Sequence, residues 1–354
     1  MDKKVNMTDY KEFERELFDV FRSFFDDIPV SFETINTSRG DKDFREAVIA
    51  VFESGERFVV KLSDNDFTDP EKIKMWRRTA SEYRGLGYYC PKIMPDKTGN
   101  YPFVNYKGHC CVAYAEEYSP YRFADSFDKS KVSAEEYTRE AWIMTAKVAS
   151  EYFSYTDAPS GYCLFDVFCP SDETDEVLEN ALEWKKYSRT LPEEFQAQAQ
   201  RIWGLWTENR KALEPVYRTL PTSVFQADLN PGNLLLDESG KFVGVCDFNL
   251  CGREVFLNYL FRETFHYDYK RELNAIFLAL KISSEYYRFS AAEKQAALML
   301  YRCIKPLWFD KLERLKQLSG NPDAVRAYLH ETENSLTEEI DFSFYMNAER
   351  TCLE

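Results

Sequence analysis

Val224-Phe225-Gln226-Ala227-Asp228-Leu229-Asn230-Pro231-Gly232-Asn233-Leu234-Leu235-Leu236-Asp237, continued by Glu238-Ser239-Gly240-Lys241-Phe242-Val243-Gly244-Val245-Cys246-Asp247-Phe248-Asn249, is the stretch on which the fold of this 354-residue chain turns. An apolar run delivers Asp228 into a loop, Asn233 opens a second apolar run, and a turn at Glu238 to Lys241 leads to a third that ends at Asp247. Apolar runs bounded by Asn, Pro, Gly and Asp read as strands joined by turns. The turn chemistry alone would explain a loop, because Asp, Asn, Pro and Gly all favour turns. Two carboxylates and an amide at fixed places between strands ask for more.

The surroundings sharpen the contrast. Segments 133–154, 173–187, 193–213, 255–283, 291–318 and 322–340 are helical in period, so the three short runs interrupt a helical half of the chain. The first 118 residues read differently. Phe13, Leu17, Phe18, Phe21 and Phe25 fall at three- and four-residue spacings, which predicts an amphipathic leading helix within residues 1–26. Strands are predicted at Val30 to Ile35, Ala47 to Glu53, Arg57 to Leu62, Pro91 to Met94 and Cys110 to Ala115, with a helix started by Asp69-Pro70-Glu71 and stopped by Gly85 and Gly87. The expected architecture is α+β: a five-stranded antiparallel lobe with one main helix over residues 1–118, and a mainly helical lobe over 119–354. Tyr118-Ser119-Pro120 marks the seam.

Asp228, Asn233 and Asp247 match the needs of phosphoryl transfer. One carboxylate receives the proton of an attacking hydroxyl, while an amide oxygen and a second carboxylate hold Mg²⁺ against the phosphates. The pattern resembles the aminoglycoside phosphotransferase and choline kinase superfamily, whose motif runs roughly H-G-D-x-H-x-x-N and then I-D-F-D, and more distantly the protein kinases. The resemblance implies a protein-kinase-like fold, with Asp228 as catalytic base and Asn233 and Asp247 as magnesium ligands. It departs from the family at Gln226 and Asn230, which stand for histidines, at Ala227 for glycine, and at Asn249 for the last acidic residue.

The same resemblance assigns the nucleotide side. Lys61, inside Phe58-Val59-Val60-Lys61-Leu62, is placed to reach the α- and β-phosphates of ATP or GTP. Glu82 is the helix carboxylate expected to orient it, with Glu71 on the same helix as the other choice. Ala115-Glu116-Glu117-Tyr118 resembles the inter-lobe hinge that meets the nucleotide base, so Glu116 and Tyr118 are assigned there. No G-x-G-x-x-G precedes Lys61, and no H-R-D or A-P-E occurs, which separates the chain from eukaryotic-type protein kinases.

Composition bounds the partners. Lys and Arg number 45 against 60 Asp and Glu, a net charge of −15, which argues against a nucleic-acid or anionic-membrane surface. The nine cysteines show no C-x-x-C, and the charged N-terminus lacks an apolar signal region, so a reduced cytoplasmic setting is expected. His109, His266 and His330 are not spaced as metal ligands. The acceptor is expected to be a small molecule with a hydroxyl group. Basic and acidic residues number 18 and 22 through Tyr118, and 27 and 38 beyond it, so an amine-bearing acceptor such as an aminoglycoside or choline is one expectation. Asp157, Asp166, Glu254, Glu263 and Asp268 are its candidate carboxylates. Phe256, Tyr259, Phe261, Phe265, Tyr267 and Tyr269 could form an aromatic box for a sugar, an amino alcohol or a quaternary amine, although helix-face packing explains them more simply. The rival expectation is a nucleotide-binding pseudokinase or interaction module, supported by Gln226, Asn230 and Asn249. Transfer of AMP on the same fold is a third.

Overall fold

The computed structural model describes residues 10–40, 42–128, 130, 132–153, 158–264 and 269–347. In chain order its first elements are α1 (Tyr10–Phe24), β1 (Ser31–Asn36), β2 (Phe44–Val51), β3 (Arg57–Asp64), α2 (Pro70–Gly85), β4 (Ile93–Met94), β5 (Phe103–Tyr106), β6 (His109–Glu117) and β7 (Arg122–Phe123). There follow α3 (Ala134–Glu151), α4 (Glu176–Ser188), α5 (Glu193–Tyr217), β8 (Thr222–Phe225), β9 (Leu234–Leu236), β10 (Phe242–Val245) and β11 (Gly252–Val255). The remainder is helical: α6 (Phe256–Glu263), α7 (Tyr269–Ser284), α8 (Ala291–Ile304), α9 (Phe309–Leu318) and α10 (Pro322–Thr337).

These elements form two compact units. One comprises Met1–Val132, Cys169–Ser171 and Asn230–Leu250; the other comprises Ser133–Phe168, Asp172–Leu229 and Cys251–Glu354. In the first, an antiparallel sheet has the order β1-β2-β3-β6-β4, with β5 paired to β6. Alternation along β2 and β3 sends Val48, Ala50, Val60 and Leu62 to one face, where they are buried with Leu17, Val20 and Phe21 of α1. The helix α2 starts as its sequence demands. Asp69 Oδ1 accepts from Glu71 N and Lys72 N, both at 2.9 Å, and Pro70 fills the first turn, where its missing N–H costs nothing.

The sheet has six strands where five were expected. The additional strand, β5, turns into β6 through Lys107 and Gly108, both at positive φ (51° and 79°), a tight hairpin turn. Two predicted helices are each divided. The 255–283 period splits into α6 and α7, and the 291–318 period splits at Pro306, which cannot continue a helix, into α8 and α9.

The second unit is mainly helical. Its two-stranded sheet pairs β8 with β11, and Gly252 is required there, since a Cβ would lie 2.5 Å from Pro159 O. Phe256, Tyr259 and Phe261 are buried, and the rings of Phe225, Phe256 and Tyr259 stack at centroid distances of 5.7–6.0 Å. These aromatics are core. Tyr269 donates to Glu338 Oε2 at 3.1 Å, while Phe265, Tyr267 and His266 lie outside the described residues. Among the described residues no helix is long and apolar enough to cross a membrane.

Candidate active site

The expected site residues fall in both units. Lys61, Glu82, Glu116, Tyr118, Asn233 and Asp247 belong to the first, Asp228 to the second.

In the first unit the hairpin β9–β10 sets the candidate metal ligands. Its antiparallel register pairs Leu234 with Val245, and Cys246 N donates to Asn233 O at 3.0 Å, so Asn233 and Asp247 stand at adjoining ends of two hydrogen-bonded strands. The turn is closed by Asp237, whose Oδ1 accepts from Ser239 N at 2.9 Å and Lys241 N at 3.0 Å. Tyr89 fixes the hairpin's place: its N donates to Val243 O at 2.8 Å and its O accepts from Val245 N at 3.0 Å. This backbone approach requires Gly244, because a Cβ there would sit 1.8 Å from Tyr89 O. Just beyond, Asp247 takes φ 57°, a left-handed conformation that few non-glycine residues adopt and that clusters at functional sites.

Lys61 alternates to the face of β3 opposite its buried neighbours Val60 and Leu62. Its Nζ lies 3.0 Å from Asp247 Oδ1 and 3.2 Å from Glu116 Oε2, with the Tyr114 ring centroid at 5.8 Å. Burial alone would lower the Lys61 pKa, but the Asp247 and Glu116 carboxylates outweigh it and hold the ammonium well above its ordinary value. Burial pushes the Glu116 carboxyl up, and Lys61 pulls it back.

Lys61 meets carboxylates other than the helix carboxylate expected to orient it. Glu82 pairs with Arg78 Nε at 3.2 Å, one helical turn back on α2, while Lys61 takes its carboxylates from β6 and from the residue after β10. Glu71 is paired with Lys74 at 2.7 Å. Tyr118 carries the Arg57 guanidinium over its ring at 3.6 Å. Glu116, assigned to the hinge that meets the nucleotide base, carries a buried side chain directed at Lys61.

Lys61, Asp247 and Asn249 share the wall of a cavity of about 230 Å³ with Thr37, Arg39 and Arg45. The residues present suit magnesium in one sense only. An amide and a carboxylate are hard oxygen donors, and phosphate or water must complete the shell. Among the described residues no group of three or more His, Cys, Asp or Glu could hold a metal by itself.

In the second unit the loop holding Asp228 is braced by Gln226. The Gln226 amide accepts from Asp228 N and donates to Asp228 O at 3.0 Å, so the residue in place of the family histidine serves the loop backbone. Glu263, at the end of α6, accepts from Tyr162 Oη at 3.2 Å. Burial above all, and to a smaller degree the Asp228 carboxylate, push Glu263 up to about 7, against the Tyr162 hydrogen bond and the pull of Arg262 and Lys305. The other acceptor-side candidates differ. Glu254 is buried, accepting from Ser160 Oγ at 2.7 Å, Val255 N at 2.8 Å and the Tyr217 hydroxyl. Asp166 lies 3.7 Å from Arg218. Asp157 and Asp268 lie outside the described residues.

A family model described as the phosphotransferase enzyme family (APH) matches residues 165–256, a span that holds both Asp228 and Asp247. Among solved structures, this chain is similar to an aminoglycoside phosphotransferase from Alicyclobacillus acidocaldarius, at 12% identity over 87% of this chain and 92% of that one, with a TM-score of 0.50. It is also similar to a microcompartment-associated aminopropanol kinase, at 14% identity over 91% and 95% of the two chains, with a TM-score of 0.56. No curated protein sequence matches it. The fold is therefore protein-kinase-like α+β, with a small antiparallel-sheet lobe and a larger helical one.

Proposed function

We propose that this chain is a small-molecule kinase that uses ATP with Mg²⁺ to phosphorylate a hydroxyl group of a small acceptor, a reading supported by the phosphotransferase family model over residues 165–256. The chain to residue 118 handles nucleotide, and residues 119–354 supply the catalytic loop and acceptor pocket. The observation that carries the reading is the 3.0 Å contact between Lys61 and Asp247, residues 186 apart in sequence. That contact puts a fixed ammonium beside a metal-type carboxylate, as a triphosphate requires.

In the proposed reaction the acceptor oxygen attacks the γ-phosphorus, the bond from that phosphorus to the β,γ-bridging oxygen breaks, and ADP leaves. The hydroxyl proton passes to Asp228. Lys61 offsets charge on the phosphates, and Asn233 and Asp247 would hold the metal, which supplies charge neutralisation when bound. Positioning supplies most of the rate enhancement.

The acidic balance of the chain, a net charge of −15, supports an amine-bearing acceptor, with Asp228 and Glu263 of the second unit as candidate carboxylates for its cation. An ATP-consumption screen across aminoglycosides, choline, amino alcohols, sugars and nucleosides tests the reading. Turnover of an amino alcohol or aminoglycoside, but of no neutral sugar, is expected. Turnover of neutral sugars alone would discard the cationic acceptor and keep the kinase.

A further inference from the structure

Two carboxylates meet Lys61 in the first unit, Glu116 and Asp247, while Glu46, which also lines the cavity, belongs to the opposite face of the sheet. Glu46 is committed elsewhere: its carboxylate meets Lys107 Nζ at 2.7 Å and Tyr106 Oη at 2.5 Å. Asp247 has two claims on it under the proposed function, the Lys61 ammonium and a divalent metal, and the doubly charged ion is the stronger partner. Glu116 remains. From α2 the cavity receives Trp76, a buried ring set edge-on to Tyr114 at 5.9 Å, and the two carboxylates of that helix, Glu71 and Glu82, are paired along it.

We propose that Glu116 is the positioning residue for Lys61, a strand carboxylate acting where a helix carboxylate was expected, which keeps the ammonium aimed at the phosphates once Asp247 turns to the metal. This deepens the nucleotide reading above and rests on it. The geometry follows from the β3–β6 ladder. Lys61 pairs with Tyr114 and Val59 with Glu116, so Lys61 and Glu116 are diagonal neighbours on one face of adjacent antiparallel strands. Long side chains meet readily across that diagonal, and the hydrogen-bonded ladder fixes their separation. Glu116 is 7% exposed, so the pair is held out of competing water, and a charge-assisted hydrogen bond there is stronger than a neutral one. A consequence follows for control of the site. The aim of Lys61 is set by the sheet, so a displacement of α2 does not release it.

The test compares Glu116→Gln, Glu82→Gln and Lys61→Met, titrated calorimetrically with ADP and with Mg-ADP, neither of which turns over. Glu116→Gln should weaken Mg-ADP about tenfold. It should weaken metal-free ADP by less than about threefold, because Asp247 then still holds Lys61. Glu82→Gln should bind both like the wild type. In a Lys61→Met background Glu116→Gln should have no further effect, which a merely structural role would not produce. Should the Gln variant not fold, Glu116→Met fills the same volume and serves the same comparison. Weakened binding by Glu82→Gln with none by Glu116→Gln would restore the helix carboxylate and overturn the inference while leaving the nucleotide reading intact. Failure of the wild type to bind Mg-ADP would overturn that reading, and this inference with it.

Discussion

Lys61 Nζ and Asp247 Oδ1 stand 3.0 Å apart, one on a central strand of the N-terminal sheet, the other at the end of a hairpin 186 residues later. Asp247 reaches this position in a left-handed backbone conformation, beside a hairpin docked onto the backbone of Tyr89. The pair lies where the sequence motif and the strand lysine meet.

Lys61→Met should weaken Mg-ATP binding and also change how stability depends on pH. Without the ammonium, buried Glu116 loses the charge that pulls its carboxyl back down and keeps Asp247 as a like-charged neighbour, so its folded-state pKa rises further. A carboxyl whose folded pKa is raised binds protons in the folded state that the unfolded chain has already released, so stability falls as pH rises through that window. The variant's loss should be about 1–3 kcal/mol at pH 8 and smaller at pH 5.5, measured by urea unfolding at both pH values.

Asp228→Ala should abolish turnover and leave Mg-nucleotide affinity within about threefold, because a base acts on the acceptor. Asp247→Ala should lose both turnover and Mg-nucleotide affinity. Equal, mild effects of the two changes on turnover would favour the pseudokinase reading.

Gly244→Ala should be destabilising far beyond an ordinary glycine substitution. Its Cβ would lie 1.8 Å from the Tyr89 carbonyl oxygen, an atom that cannot move without breaking the bond to Val245 N. A loss of about 2–3 kcal/mol is expected by denaturant unfolding, together with weaker Mg-nucleotide binding as the hairpin carrying Asn233 and Asp247 shifts.

Glu263 should titrate near neutrality. Its carboxyl is held at about 7 in the folded state by burial and by the Asp228 charge, so between about 4.5 and 7 the folded form keeps a proton that the unfolded form loses. Stability should fall across that window in the wild type, and Glu263→Gln should remove about 1–3 kcal/mol of the fall, read from melting at pH 5 and pH 8. Affinity for an amine-bearing acceptor should rise from pH 6 to pH 8 in the wild type and stay flat in the variant.

Much of this architecture was legible because its signals are local. Asp69-Pro70 announces α2, the alternation around Lys61 announces β3, and the spacing of Asp228, Asn233 and Asp247 carries the phosphotransferase resemblance. What was not legible depends on register and docking between distant segments. Glu116 becomes a partner of Lys61 only because β3 pairs with β6 at one register, and no spacing within either strand encodes that. Gly244 reads as a weak strand residue until Tyr89 is placed against it. The helical period over 255–283 runs without a proline across the break between α6 and α7, so pattern alone joins them.

Phosphoryl transfer is read out by ³¹P NMR of the purified protein with Mg-ATP and the acceptor panel. ADP and a new phosphomonoester are expected in equal amounts with the wild type, and neither with Asp228→Ala. Bound but unconsumed ATP across the panel, or AMP with pyrophosphate in place of ADP, would contradict it.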